Sequence, residues 1–281
     1  DVEIKSLSGV GIEAVIDAFV RAFADYAVAF DRNQIEAMLV RRGFCADISY
    51  GAFVGNDMVA FTLNGVGEYD GVPTCYDCGT GTVPQYRGRG LAGKIFNYSI
   101  PNLHDAGIRQ YVLEVLQDNA AAISVYKSNG FKVVSEYDCY NQTLAELNVS
   151  CREDVDIRDV SVDEVAGMQN FCDFKPSWQN DIGSIARGAD GLITKGVWVD
   201  GNLVGYGVCD PLTGDIAQLA VNPVYRRKGV ASSLLTCLLS RFKSSTVKMI
   251  NVECGCQSLA GFLSSINMSK GLAQYAMTRN I

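Results

Sequence analysis

Two stretches of the sequence combine residue types suited to holding an anion. In VPQYRGRGLAGKIF, Val83 to Phe96, arginines and glycines crowd together immediately before an apolar pattern with helical spacing. In NPVYRRKGVASSLL, Asn222 to Leu235, the arrangement returns 139 residues later. A helix N-terminus carries unsatisfied N–H groups and partial positive charge, and a glycine there lets an oxyanion reach the backbone without meeting a Cβ. Phosphate is the natural guest of such a loop; the plainer alternative is a surface turn with basic decoration. GRGLAG, Gly88 to Gly93, is not a dinucleotide fingerprint, because His104, Asp105 and Glu114 do not fit the position of the acidic residue that should close the next strand.

Such loops need a strand before them and a helix behind them. Behind the first, Leu91, Ile95 and Leu103 share one ridge, with Ala92, Phe96 and Ile100 beside them. Behind the second, Val230, Leu234, Leu238 and Phe242 form a cleaner stripe, and both stripes read as core faces. Pro101 is expected to kink the first helix and Gly107 to end it. The loops are one of three echoes in the chain. DVEIKSLSGVGIEAVIDAF at the start is echoed by DVDIRDVSVDEVAGMQNF from Asp154, and GNDMVAF from Gly55 by GNLVGYG from Gly201. With Arg87 aligned on Arg226 and Gly90 on Gly229, three echoes in one order indicate duplication of a domain-sized unit. The expected layout is a domain over 1–142, a linker over 143–153 and a second domain over 154–281. Each unit reads as a strand, one or two helices, a strand meander, the glycine loop, a long helix, a strand, a second helix and closing strands, which is an α/β fold.

Hydrophobic residues make up 48 % and charged residues 20 % of the 281, the balance of a folded globular chain. The net charge of −7 lies in the first half: residues 1–150 hold 18 acidic against 11 basic side chains, and residues 151–281 hold 13 of each. Nucleic acid is therefore not expected as a partner, whereas a cationic amine would be electrostatically welcome. No apolar run reaches membrane-spanning length and no secretory pattern opens the sequence, so a cytoplasmic protein without a membrane partner is expected. The ten cysteines sit mostly in apolar runs and read as reduced thiols. Cys75 and Cys78 are three apart in a strand-like run and point to opposite faces, so no metal is expected.

VPQYRGRGLA resembles the acetyl-CoA pyrophosphate loop of the GNAT acetyltransferase superfamily, Gln/Arg-x-x-Gly-x-Gly/Ala, met here by Arg87, Gly90 and Ala92 and again by Arg226, Gly229 and Ala231. Downstream, YVLEVLQDNAAAISVYKSNGF, Tyr111 to Phe131, is similar to the family's strand and helix, with Asn119, Tyr126, Gly130 and Phe131 in the family's order. The resemblance covers most of residues 1–140, and in the second half only the strands and the loop. It implies two tandem GNAT-like domains, each a mixed, mostly antiparallel sheet flanked by helices. It also implies an N-acetyltransferase that uses acetyl-CoA as cosubstrate and a small-molecule or peptide amine as acceptor, in a monomer or weak homodimer. A non-catalytic acyl-CoA-binding or sensing module is the alternative.

On this resemblance Val83, Arg87, Gly88, Arg89, Gly90, Leu91 and Ala92 cradle the pyrophosphate, and Asn119 holds the pantetheine or caps the helix. Tyr126 matches the family's general acid; a phenol near pKa 10 can share its proton with a departing thiolate whose acid has a pKa of about 8.5. Glu114 stands where ribosomal-protein acetyltransferases hold a base, with Asp77 competing for that part, and a backbone N–H within Gly79 to Val83 is expected to meet the oxyanion. The 139-residue offset puts Glu253 opposite Glu114 and Ser265 opposite Tyr126, or Phe262 after a slide of one turn. Neither supplies a phenol, so the second unit is expected to bind coenzyme A or to complete the fold rather than to catalyse. The loops Phe23–Gln34 and Asn64–Thr74 are the expected acceptor walls.

Overall fold

The computed structural model describes residues 1–25, 31–150 and 155–281. Residues 26–30 of the expected acceptor loop, residues 151–153 of the expected linker and Asp154 lie outside them. The chain forms two compact units, Asp1–Val134 with Tyr275–Ile281, and Ser135–Gln274.

The first unit carries strands β1 (Glu3–Ser6), β2 (Tyr50–Val54), β3 (Asp57–Tyr69), β4 (Val72–Thr82) and β5 (Gln110–Leu116), hydrogen-bonded in that order. All neighbours are antiparallel except β4 and β5. Helices α1 (Ile12–Ala22), α2 (Arg32–Arg42), α3 (Leu91–Asp105) and α4 (Ala120–Ser128) flank the strands. In α1, Val15, Ile16, Phe19 and Ala22 form the buried stripe. A side chain on Gly81 would meet the Phe61 ring at 2.6 Å and Ala22 at 3.0 Å, so glycine is what lets α1 lie this close to β4. The expected ridge of α3 is buried at Leu91, Ile95, Phe96 and Leu103; the helix continues through Pro101 and ends before Gly107, whose φ is 86°. Phe96, Tyr111, Tyr126 and Phe131 make an aromatic core with edge-on or tilted ring contacts of 5.2–5.9 Å.

Strand β6 (Lys132–Thr143) follows, then β7 (Asp156–Asp159), α5 (Val162–Gly167), α6 (Ile182–Arg187), β8 (Ile193–Val199), β9 (Asn202–Asp210), β10 (Asp215–Val221), α7 (Val230–Leu239), β11 (Thr246–Glu253), α8 (Gln257–Ser265) and β12 (Ser269–Asn280). In the second unit β7, β8, β9 and β10 form an antiparallel meander, β11 is parallel to β10, and β6 pairs antiparallel to β11. Its largest core gathers Ile216, Leu235, Leu238, Val247, Leu259 and Leu263.

Both units bear the same two irregularities. The β3–β4 register slips so that Cys78 is extra, and the β9–β10 register slips at Ala217, 139 residues on. Beyond the bulge the parallel pair parts. β4 and β5 share only the rows Thr74↔Gln110, Cys75↔Tyr111 and Tyr76↔Val112, although the strands run on to Thr82 and Leu116. β10 and β11 share only Asp215↔Lys248. Each unit thus has a gap between two parallel strands, opening toward its glycine loop.

Among the described residues no helix is long and apolar enough to cross a membrane, and no group of three or more His, Cys, Asp or Glu is placed to hold a metal ion. The nine described cysteines are all free thiols.

Candidate active site

The first loop gets its shape from two left-handed glycines, Gly88 at φ 75° and Gly90 at φ 69°. Gly90 is the N-cap of α3 and no side chain caps the helix, so its first-turn amides, Leu91 and Ala92 among them, stand ready for an anion. A Cβ at Gly90 would meet nothing within 4 Å, so it is the left-handed backbone and not crowding that calls for glycine there. Arg89 lies over the Tyr86 ring, 4.7 Å from its centroid. Val83 and Leu91 have buried side chains, and the Val83 N–H already donates to Val59 O.

Arg87 holds the loop in place. Its guanidinium donates to Thr82 O (3.1 Å), Ala22 O (2.8 Å) and both carboxylate oxygens of Asp25, tying the loop to the end of α1. The hydrogen bond from Arg87 also holds the Asp25 carboxyl below the usual carboxylate range. Arg226 repeats the set on Val221 O (2.9 Å), Phe171 O (3.0 Å) and Asp173. Gly229 has φ 84° and is the uncapped start of α7, and Arg227 takes the left-handed position of Gly88 with φ 59°. Ala231 follows in the first turn of α7. The aspartate partners escape sequence reading because only the folded loop brings them to the arginines.

Side chains alternate between the two faces of β4 and β5 and thereby sort the candidate chemical groups. On one face Cys75, Tyr111, Leu113 and Val115 pack with Tyr126, which α4 carries. There the Tyr126 hydroxyl donates to Asp77 Oδ2 at 3.0 Å, and Asp77 also accepts from Thr80 Oγ1 (2.8 Å) and from the Gly79 N–H (2.9 Å). Burial pushes the Asp77 carboxyl up to about 6 against the pull of these hydrogen bonds. On the opposite face Glu114 accepts a hydrogen bond from the Tyr76 hydroxyl at 2.5 Å. Burial holds the Tyr76 phenol well above its usual range, so it stays a donor. Tyr76 was not a sequence candidate, since a strand tyrosine carries no signal by itself. Asn119 caps α4, accepting from the Ala122 N–H at 3.1 Å. Of the amides expected for the oxyanion, those of Gly79 and Val83 are already engaged.

The structure corrects the equivalences across the duplication. The row Asp215↔Lys248 corresponds to Tyr76↔Val112 and sets Ile250, not Glu253, opposite Glu114. The chain between these rows is three residues shorter in the second unit, and Glu253 is exposed near the end of β11. At the helix, Phe131 N donates to Tyr126 O and Met268 N to Leu263 O, so Leu263 stands in place of Tyr126, rather than Ser265 or Phe262. The matched bulges set Gln218 opposite Gly79 and Ile216 opposite Asp77.

A strand gap that opens on a glycine loop, with a tyrosine and a carboxylate at its edges, is the architecture of an acyl-CoA-dependent acyltransferase. The chain belongs to the GNAT acetyltransferase family, whose model matches residues 13–131 and again 157–260. Among solved structures it resembles a tandem GNAT protein from the clavulanic acid biosynthesis pathway (14 % identity, TM-score 0.73, 100 % of this chain and 98 % of that one). It also resembles a GCN5-related N-acetyltransferase from Sphaerobacter thermophilus (13 %, 0.70, 99 % and 95 %) and another from Kribbella flavida (13 %, 0.59, 100 % and 71 %). At these identities the likeness is one of fold, here of the whole tandem. No curated protein matches the sequence.

Proposed function

We propose that the protein is an acetyl-CoA-dependent N-acetyltransferase that passes an acetyl group directly to a primary amine, with catalysis in the first unit. One observation carries this reading: Tyr126 with Asp77 and Glu114 with Tyr76 form two hydrogen-bonded pairs on opposite faces of the strands that part. A thioester reaching the gap from the α3 and α4 face meets the phenol, and an amine arriving on the other face meets the carboxylate. The first-turn amides of α3 hold the pyrophosphate, and Arg87 keeps their loop anchored. Glu114 accepts the ammonium proton, held in orientation by Tyr76. Tyr126, whose hydroxyl donates to Asp77 in the free protein, turns its one proton to the departing thiolate. Asp77 therefore positions the acid rather than serving as the base. The second unit has Leu263 and Ile250 at the corresponding places, so neither proton transfer has a residue there.

The test is thiol release from acetyl-CoA with a panel of primary amines, small molecules and peptides, for the wild type, Tyr126→Phe and Glu114→Gln. Turnover with at least one amine, reduced about 100-fold or more in each variant, supports the reading. Acetyl-CoA binding without turnover of any amine, indifferent to Tyr126→Phe, would replace it with a non-catalytic acyl-CoA module.

A further inference from the structure

The second unit has an open groove of about 660 Å³ between its glycine loop and α8, lined by Arg226, Arg227, Gly229, Ser232, Gln257 and Phe262 among others. The groove leads to a small cavity of about 30 Å³, with Asp173, Leu219 and Leu259 on the walls of both. The larger volume lies within the range of small-molecule sites. The smaller is room for about two water-sized groups.

The cavity is lined by the carboxamides of Asn180, Gln218 and Asn251. Gln218 occupies the place of Gly79, and its Nε2 donates to Asn180 O (2.7 Å) and Gln169 Oε1 (3.3 Å) while its Oε1 accepts from the Tyr206 hydroxyl (2.8 Å). Asn251 Nδ2 donates to Ser177 Oγ (2.9 Å). Asn180 Nδ2 donates to Ile250 O (3.0 Å), which fixes the orientation of that amide and leaves Asn180 Oδ1 buried without a partner. Asn180 is only 4 % exposed and lines the cavity. An unsatisfied buried acceptor is costly and calls for a donor.

We propose that the second unit is a site for free coenzyme A that discriminates against its acyl thioesters. The inference rests on the coenzyme A reading of the glycine loops. The uncapped start of α7 takes the pyrophosphate, the groove takes the pantetheine arm, and the thiol ends at Asn180 Oδ1, to which S–H is a donor. An acetyl thioester has no such hydrogen. It turns a carbonyl oxygen toward an acceptor and adds three heavy atoms to a cavity that holds about two water-sized groups. With Leu263 for Tyr126, nothing there supports transfer. The second unit would thus read the spent form of the cosubstrate that the first unit consumes.

Isothermal titration of the full chain with coenzyme A, desulfo-coenzyme A and acetyl-CoA tests this. In Gly90→Glu, where the first loop is blocked, one site should remain for coenzyme A, with acetyl-CoA at least about tenfold weaker. Desulfo-coenzyme A should also bind more weakly, and adding Asn180→Leu should bring coenzyme A and desulfo-coenzyme A within about twofold of each other. Gly229→Glu alone should remove the thiol-preferring site and keep binding at the first. Equal affinity for coenzyme A and acetyl-CoA at the second site, or a wild type with a single site that only Gly90→Glu abolishes, would overturn the inference and leave the enzyme reading standing. A wild type that binds none of the ligands would overturn both.

Discussion

Asp77 links stability to pH in a way that can be measured without knowing the acceptor. Its carboxyl is pushed from an ordinary 3.8 to about 6, chiefly by burial. At about 1.4 kcal/mol per tenfold in proton affinity, that difference corresponds to about 3 kcal/mol. The sign follows from the direction. The folded chain binds this proton more tightly than the unfolded chain does. The contribution is fully present below the unfolded pKa, near 4, and is lost as pH rises through about 6. Asp77→Asn removes the titration while keeping an acceptor for the Gly79 N–H and presenting an amide to Tyr126. The stability of Asp77→Asn relative to wild type should therefore rise by about 2.5 kcal/mol between pH 4 and pH 7.5. Urea unfolding of both proteins, followed by far-ultraviolet circular dichroism at half-unit pH steps, measures that difference, in which all other titrating groups cancel. A difference that stays flat within about 0.5 kcal/mol across the range would refute the reasoning and show the carboxyl to be as ionisable folded as unfolded.

Asp25→Asn separates two parts for Arg87. An anchor loses its partner and acetyl-CoA binds more weakly in titration, whereas a phosphate ligand would be released and binding would tighten. Gly90→Ala forces a Cβ residue to φ 69° in open space, and its thermal unfolding should report a loss of about 1–2 kcal/mol, with Gly90→Asn losing about half as much. Tyr76→Phe removes the donor on Glu114, and kcat should fall about tenfold with a shifted acidic limb in its pH profile and little change in KM for acetyl-CoA. Leu263→Tyr, which restores a phenol without a base opposite it, should add no turnover when tested in a Tyr126→Phe background.

The fold was legible where local rules operate. The glycines of both loops, the apolar ridges of α3 and α7 and the helix end before Gly107 all follow from what short segments can do, and each is in place except Phe242, which lies beyond the end of α7 at Leu239. Tyr126 and Glu114 stood out through the resemblance of their segment to the family's strand and helix, and alternation along β5 explains why Glu114 lies on the face away from Tyr126. What a linear offset could not carry was the change in register. A shorter connection through α7 moved the equivalent of Glu114 to Ile250, and the next connection moved that of Tyr126 to Leu263. The destination of the chain ends was hidden too. The last seven residues belong to the first unit, and residues from Ser135 onward to the second. Strand partners are chosen by packing between distant segments, and an edge-to-edge match leaves no trace in either segment alone.

The two copies also serve as controls for one another. Their shared features are the arginine held by two carbonyls and an aspartate, the left-handed pair at Gly88 and Gly90 or Arg227 and Gly229, and the bulge that parts the strands. All of these shape a cradle for an anion and a slot for a thin chain. The differences lie where bonds would be made: Leu263 for Tyr126, Ile216 for Asp77, Ile250 for Glu114 and Gln218 for Gly79. The first three substitutions replace proton carriers with hydrocarbon, fully buried at Leu263 and Ile216, which is what a core accepts most readily once chemistry is no longer required. The fourth does not simplify the core. Gln218 belongs to a buried network with Gln169, Tyr206 and the Asn180 carbonyl, and a structure that had merely lost its function would find a leucine less costly there. A polar network maintained beside an open groove is the mark of a surface still shaped for a ligand, and it is the reason for proposing the second unit as a binding site rather than a remnant.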